Sequence, residues 1–128
     1  MERSKLIKSL FFSCIALFLL ACAPSNAQQS GEFLILAKQE YQSRLSQESE
    51  PQLIDVRTPA EFQAGAIAGA VNLNLLDGTF ESSIEQLDPT KTVFVYCAKG
   101  GRSGKAATLL KSKGFKSVVD LKDGYSNW

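Results

Sequence analysis

The chain has 128 residues, with 14 Lys and Arg against 13 Asp and Glu, three Cys and no His. Once an atypical start of about 30 residues is set aside, the rest holds one core of about 100 residues, which excludes a large multidomain enzyme. The balanced charge, with no long basic run and no interleaved aromatics, excludes nucleic acid as a partner.

In chain order, MERSKLIK carries three cations, LFFSCIALFLLA is apolar, and CAPSNAQQS is small and polar. The apolar run is too short for a ~30 Å hydrocarbon core, which needs about 20 residues, so residues 1–21 read as an export signal. Leu19-Leu20-Ala21-Cys22 resembles the lipobox of bacterial lipoproteins, in which the cysteine becomes the lipid-bearing first residue, and Ala23 after it resembles proteins sent to the outer membrane. The resemblance implies an exported, periplasmic protein whose only contact with the membrane is lipid on Cys22. Ordinary cleavage after Ser25-Asn26-Ala27 is the competing reading. Residues 22–31 are expected to be a flexible tether, and 32–128 the folded domain. With Cys14 lost and Cys22 lipidated, Cys97 is the only thiol left to that domain, either buried and inert or accessible and useful.

Leu34 to Leu36 predict a short edge strand, and KQEYQSRL a helix with Tyr41 and Leu45 on one face. LIDV reads as a buried strand. In RTPAEF after it, Thr58 caps a short helix, Pro59 opens it and Glu61 completes a capping box; Gly65 closes it. AVNL is another strand. Thr79 is expected to cap a helix FESSIEQL that Asp88-Pro89 ends. TVFVY, β-branched and aromatic throughout, suits a central parallel strand covered on both faces. A further helix carries Ala106, Leu109 and Leu110 on one stripe and stops at Gly114, with Phe115 packing back. SVVDL is the last strand. Strands alternating with helices at this spacing predict an α/β fold, doubly wound around a mostly parallel five-stranded sheet, with its site at the carboxyl ends of the strands.

Cys97 and Asp55-Val56-Arg57 both fall at such ends. A thiol of pKa near 8.5 is only a few per cent thiolate at neutral pH, and lowering it by two units requires about 2.7 kcal/mol of preferential anion stabilisation. A helix dipole supplies roughly 0.3–1 kcal/mol. In CAKGGRSG, Gly100 and Gly101 let backbone amides curl inward as a nest, the helix beginning near Arg102 adds free amides, and Lys99 and Arg102 add charge. Such a cradle replaces a histidine for an anionic sulfur but provides no base to activate water. Arg102 is expected to tie the loop's carbonyls or hold an oxyanion. Lys99 attracts an anionic substrate or simply faces water, and Lys105 can equally face water. Arg57, four residues before Glu61, is expected to pair with it, leaving Asp55, Arg57 and Glu61 as structural support. A nucleotide phosphate loop at Gly104-Lys105 fails for want of an earlier glycine and of Ser or Thr at Ala106.

The loop Cys97, Gly100, Arg102 and Ser103 resembles the active loop of the rhodanese family of single-domain sulfurtransferases, which reads Cys-x-x-Gly-x-Arg followed by Ser or Thr. Residues 53–73 are similar to that family's other signature, with Asp55, Arg57, Glu61, Phe62, Gly65, Ile67, Gly69, Ala70 and Asn72 in place. Leu121, Gly124 and Trp128 match its closing strand and turn. The resemblance implies a persulfide on Cys97, held by Ala98, Lys99, Gly100, Gly101, Arg102 and Ser103. It also implies sulfane-sulfur transfer from thiosulfate or a persulfide to cyanide or a thiol, a periplasmic thiol protein being one such partner. A sulfur carrier or a non-catalytic binding module is the alternative, and no metal or other cofactor is expected. The sequence departs from the pattern at Ala66, where the family usually has His, at Asp123, where it commonly has the first of two glycines, and in stopping at Trp128, where relatives generally continue through a short helix. A cysteine phosphatase is the enzymatic rival, but its loop has one residue more than the four between Cys97 and Arg102.

Overall fold

The computed structural model describes residues 31–128. The expected export signal, Cys22 and all of the tether but Gly31 lie outside the described residues. Five strands and four α-helices alternate: β1 (Glu32–Leu36), α1 (Lys38–Gln47), β2 (Gln52–Asp55), α2 (Pro59–Gln63), β3 (Val71–Asn72), α3 (Phe80–Ser83), β4 (Thr92–Tyr96), α4 (Gly101–Ser112) and β5 (Ser117–Leu121). The strands form one sheet in the order β1-β5-β4-β2-β3, and every pair is parallel. The last strand in sequence is thus inserted beside the first, and β4 lies at the centre with all five of its residues buried.

Alternation along the strands builds two cores. On one face Ile54, Val93, Val95, Cys97 and Val118 pack under Phe80, Ile84, Ala106, Leu110 and Phe115 from α3, the turn after it, and α4 with its C-terminal turn. On the other, Leu53, Phe94, Tyr96, Val119 and Leu121 pack with Tyr41 of α1, against which Trp128 stands edge-on at 6.2 Å. These are the two covered faces of a doubly wound sheet.

Local signals decide where the helices start and stop. Thr58 accepts from the Glu61 amide at 3.3 Å while the Glu61 carboxylate accepts from the Thr58 amide at 3.0 Å, the capping box in full. Gly114 adopts φ +90°, and the Phe115 amide bonds back to the Leu110 carbonyl at 3.2 Å, returning Phe115 to the core. Thr79 is a correction. It flanks α3 but gives no side-chain cap, because its hydroxyl is turned back to Asp77 at 2.6 Å. The helix it was to open is correspondingly short, four α-helical residues followed by a 3-10 turn over Ile84–Gln86.

Candidate active site

Adjacent parallel strands end at the same edge of a sheet, so β2 and β4 deliver the DVR run and Cys97 to one neighbourhood. The chain leaves β4 at Cys97, turns at Gly100 with φ +99°, and enters α4 directly at Gly101. Of the two loop glycines, only Gly100 needs the left-handed backbone; Gly101 is already helical.

That turn bends the loop around the sulfur. The Gly100 amide donates to Cys97 Sγ at 3.0 Å, and the Ser103 hydroxyl lies 3.4 Å from it. Cys97 is only 1% exposed and shares the α4-side core, yet it also lines an open hollow of about 380 Å³ with Ala98, Lys99, Gly101, Arg102 and Lys105. It therefore forms the floor of that hollow while packing into the core. Burial pushes the thiol pKa up, but hydrogen bonds from the Ser103 hydroxyl and from the amides of Ser103, Lys99 and Gly100 outweigh it and hold the thiol below its ordinary value. The cradle expected of the loop is built mainly from neutral donors.

Arg102 corrects the sequence expectation. It does not tie the loop's carbonyls; Nη1 and Nη2 grip the Glu61 carboxylate at 2.7 and 2.8 Å, because α2 and α4 begin side by side at the ends of β2 and β4. Glu61 consequently does not pair with Arg57. Arg57 turns inward to Asp55, with Nε and Nη2 on its carboxylate at 2.9 and 2.6 Å, and gives Nη2 also to the Gly65 carbonyl at 2.7 Å. Its guanidinium lies 4.3 Å from the Tyr125 ring centroid and 5.5 Å from that of Tyr96. Asn72 donates to the main-chain carbonyls of Asp55 and Arg57 at 3.0 and 2.8 Å. Asp55, Arg57 and Asn72 thus lock the end of β2 without lining the hollow.

Of the six loop residues expected to hold substrate, Ala98, Lys99, Gly101 and Arg102 line the hollow, while Gly100 and Ser103 hold the sulfur from behind. Lys105 joins the lining, one turn of α4 after Gly101, and its helical spacing was the signal that could have found it. The closing turn is a further support. The amides of Tyr125 and Ser126 donate to the carbonyls of Cys97 and Ala98 at 2.7 and 3.0 Å. A Cβ on Gly124 would sit 2.5 Å from Ala98, so glycine is required there by space as well as by its φ of +65°. Asp123 before it, where the family commonly has glycine, is held at φ +62°, a left-handed conformation costly for any other residue. Among the described residues no group of three or more His, Cys, Asp or Glu side chains is arranged to hold a metal ion.

Known proteins are similar to the chain in sequence and fold. Residues 37–128 match the model of the rhodanese-like domain. The chain is 30% identical over 125 residues to the uncharacterized protein YqhL of Bacillus subtilis, covering 98% of this chain and 93% of that one. It is 35% identical over 85 residues to thiosulfate sulfurtransferase 16, chloroplastic, of Arabidopsis thaliana, covering 59% of this chain and 71% of that protein. The crystal structure of a rhodanese-like domain protein from Staphylococcus aureus aligns with TM-score 0.65 and 25% identity over 74% of this chain and 89% of its own. With the loop, the second signature and the sheet order in agreement, the chain belongs to the rhodanese-like domain family.

Proposed function

We propose that the protein is a sulfurtransferase in which Cys97 accepts sulfane sulfur from thiosulfate or a persulfide and delivers it to cyanide or a thiol. The observation that carries this reading is the sulfur at the floor of an open hollow, with the Gly100 amide 3.0 Å away and Lys99 and Lys105 at the rim. The thiolate attacks the outer sulfur of thiosulfate, the S–S bond to the sulfite group breaks with its electron pair, and sulfite departs. The new persulfide bears its negative charge on the terminal sulfur, where amides and lysines favour it. Cyanide or a thiolate then takes that sulfur, and Cys97 returns as a thiolate. No proton transfer to water is needed, which suits a site without a base beside the nucleophile. Similarity to a thiosulfate sulfurtransferase of Arabidopsis thaliana supports thiosulfate as a donor. We further propose that the protein works outside the cytoplasm, tethered by lipid on Cys22; mass analysis of the mature amino terminus tests this, lipid on Cys22 supporting it and a start at Gln28 overturning it.

Intact mass of the folded domain after thiosulfate or persulfide treatment tests the chemistry. A gain of one sulfur that cyanide or a thiol discharges, absent from Cys97→Ala, is expected. No adduct on the unaltered protein would sink the reading, and Cys97-dependent turnover of a phosphate ester would replace it with a phosphatase. An adduct that forms and discharges only to one protein thiol, without turnover, identifies a carrier.

A further inference from the structure

The hollow over Cys97 does not end at the thiol loop. Lys99 lines it and also lines a second open hollow, of about 480 Å³, whose other walls are Asp123, Ser126 and Asn127 of the closing turn. The Ser126 amide donates to the Ala98 carbonyl at 3.0 Å, and a Cβ on Gly100 would sit 3.8 Å from the Asp123 amide nitrogen. The two hollows thus meet along the loop that holds the sulfur. Lys99 and Asp123 are both exposed, and among the described residues neither forms an ion pair, with the other or with a third group, whereas Arg102 is taken by Glu61. Asp123 is also the only non-glycine among the described residues with a left-handed backbone. Backbone strain kept beside a site points to a use for the side chain that bears it.

We propose that the second hollow is the subsite of the sulfur acceptor and that Asp123 selects a thiol carrying a protonated amine. The acceptor must bring its sulfur to the terminal sulfur of the Cys97 persulfide while the rest of the molecule lies outward, and the way out past Lys99 leads to the Asp123 side chain. Both reacting sulfurs are anionic. A thiolate whose molecule also bears an ammonium has no net charge and approaches with less repulsion, and a carboxylate in the outer hollow attracts that ammonium while repelling an anionic acceptor. Ser126 and Asn127 add neutral hydrogen-bonding groups, and Lys122, the neighbouring cation in the chain, lines neither hollow. The amine takes no part in making or breaking bonds. The acceptor thiolate, its proton already lost to bulk water, attacks the terminal sulfur; the S–S bond to Cys97 breaks with its electron pair on Sγ, and the acceptor leaves as a persulfide anion. Total charge is the same before and after. Asp123 is thus a specificity-determining residue, and its role rests on the sulfur-transfer reading while naming the class of acceptor.

Alkylation of Cys97 reads the charge beside the thiol without any sulfur chemistry. Rates with 2-bromoethylammonium and with iodoacetate, each divided by the rate with neutral iodoacetamide, cancel changes in the thiolate fraction. Asp123→Asn keeps a residue that tolerates the left-handed turn. It should lower the cation ratio and raise the anion ratio, each by about two- to fivefold and by less in high salt. Glu48→Gln, which precedes β2 at the opposite end of the strands, alters net charge equally and should leave both ratios unmoved. Ratios unchanged by Asp123→Asn, or moved as far by Glu48→Gln, overturn the proposal. Discharge of the persulfidated protein tests the acceptor itself. Per thiolate, cysteamine should outpace 2-mercaptoethanol and 3-mercaptopropionate, and Asp123→Asn should cut that lead by about two- to fivefold; an equal lead in the variant refutes selection by Asp123. If the alkylation ratios shift but no sulfur adduct forms on the unaltered protein, the sulfurtransferase reading fails while the cation subsite stands.

Discussion

Glu61 carries on one carboxylate the work of three contacts. It accepts from the Thr58 amide and hydroxyl, both at 3.0 Å, and from Arg102 of the thiol loop at 2.7 and 2.8 Å. Arg102 first, and Thr58 after it, hold its pKa down at about 2. Because the folded value lies below the unfolded one of about 4.3, this stabilisation is complete above the unfolded value and is lost as pH falls through the folded one. Glu61→Gln should therefore lower stability at pH 7 by about 1 kcal/mol, the range of a half-exposed ion pair plus a weakened cap. The deficit should close between about pH 4.5 and pH 2, which urea melts across that window measure; a deficit independent of pH overturns the assignment. The capping box was legible in TPAE because it is a local pattern. The Arg102 partnership was not, because it joins residues 41 positions apart that meet only through the β2–β4 pairing.

Among the elements, the segment from Cys97 to α4 takes its shape partly from a turn that follows it by more than twenty residues. The turn after β5 brings two amides onto the carbonyls of Cys97 and Ala98, and Gly124 passes too close to Ala98 for any side chain. Gly124→Ala must move the two apart or strain φ at +65°, at a cost of about 1–3 kcal/mol. The loop should open with it: alkylation of Cys97 at neutral pH is expected to change and the Gly100 amide resonance to shift, whereas unchanged reactivity would show the turn to be a bystander. Asp123 is the converse case. Its φ of +62° suits glycine better, so Asp123→Gly should raise stability by up to about 1 kcal/mol in a thermal melt. A fall in melting temperature would mean that the Asp123 side chain supplies more than its backbone costs. Sequence exposed the departure at Asp123, but the close approach at Gly124 depends on how β5 and β4 lie together.

Across the whole molecule, the sheet order separates a stiff centre from lighter edges. The strand–helix alternation and the unbroken apolar runs of β4 and β5 were readable because each is written within a few residues. The insertion of β5 between β1 and β4 was not, since nothing local distinguishes the neighbours of a parallel strand. Nor was the burial of Asp120 between β1 and β4, which follows from that insertion. The consequence is mechanical. β4 and β5 are wholly buried and paired on both sides, whereas β3 pairs only with β2 over two residues, and β1 is an edge strand whose Ile35 is 70% exposed. Global unfolding is required to expose the central ladder, while the edges can open locally. Amide exchange should therefore be slowest at Val93–Val95 and Val118–Asp120, faster in β1 and fastest in β3. Cys97 hangs from the end of β4 and Gly124 from the turn after β5, so the thiol and the turn that clasps its loop both rest on the slow-exchanging pair. If β4 exchanges as fast as β3, the site lacks that rigid base, and the hydrogen-bond geometry around the sulfur cannot be held by the sheet.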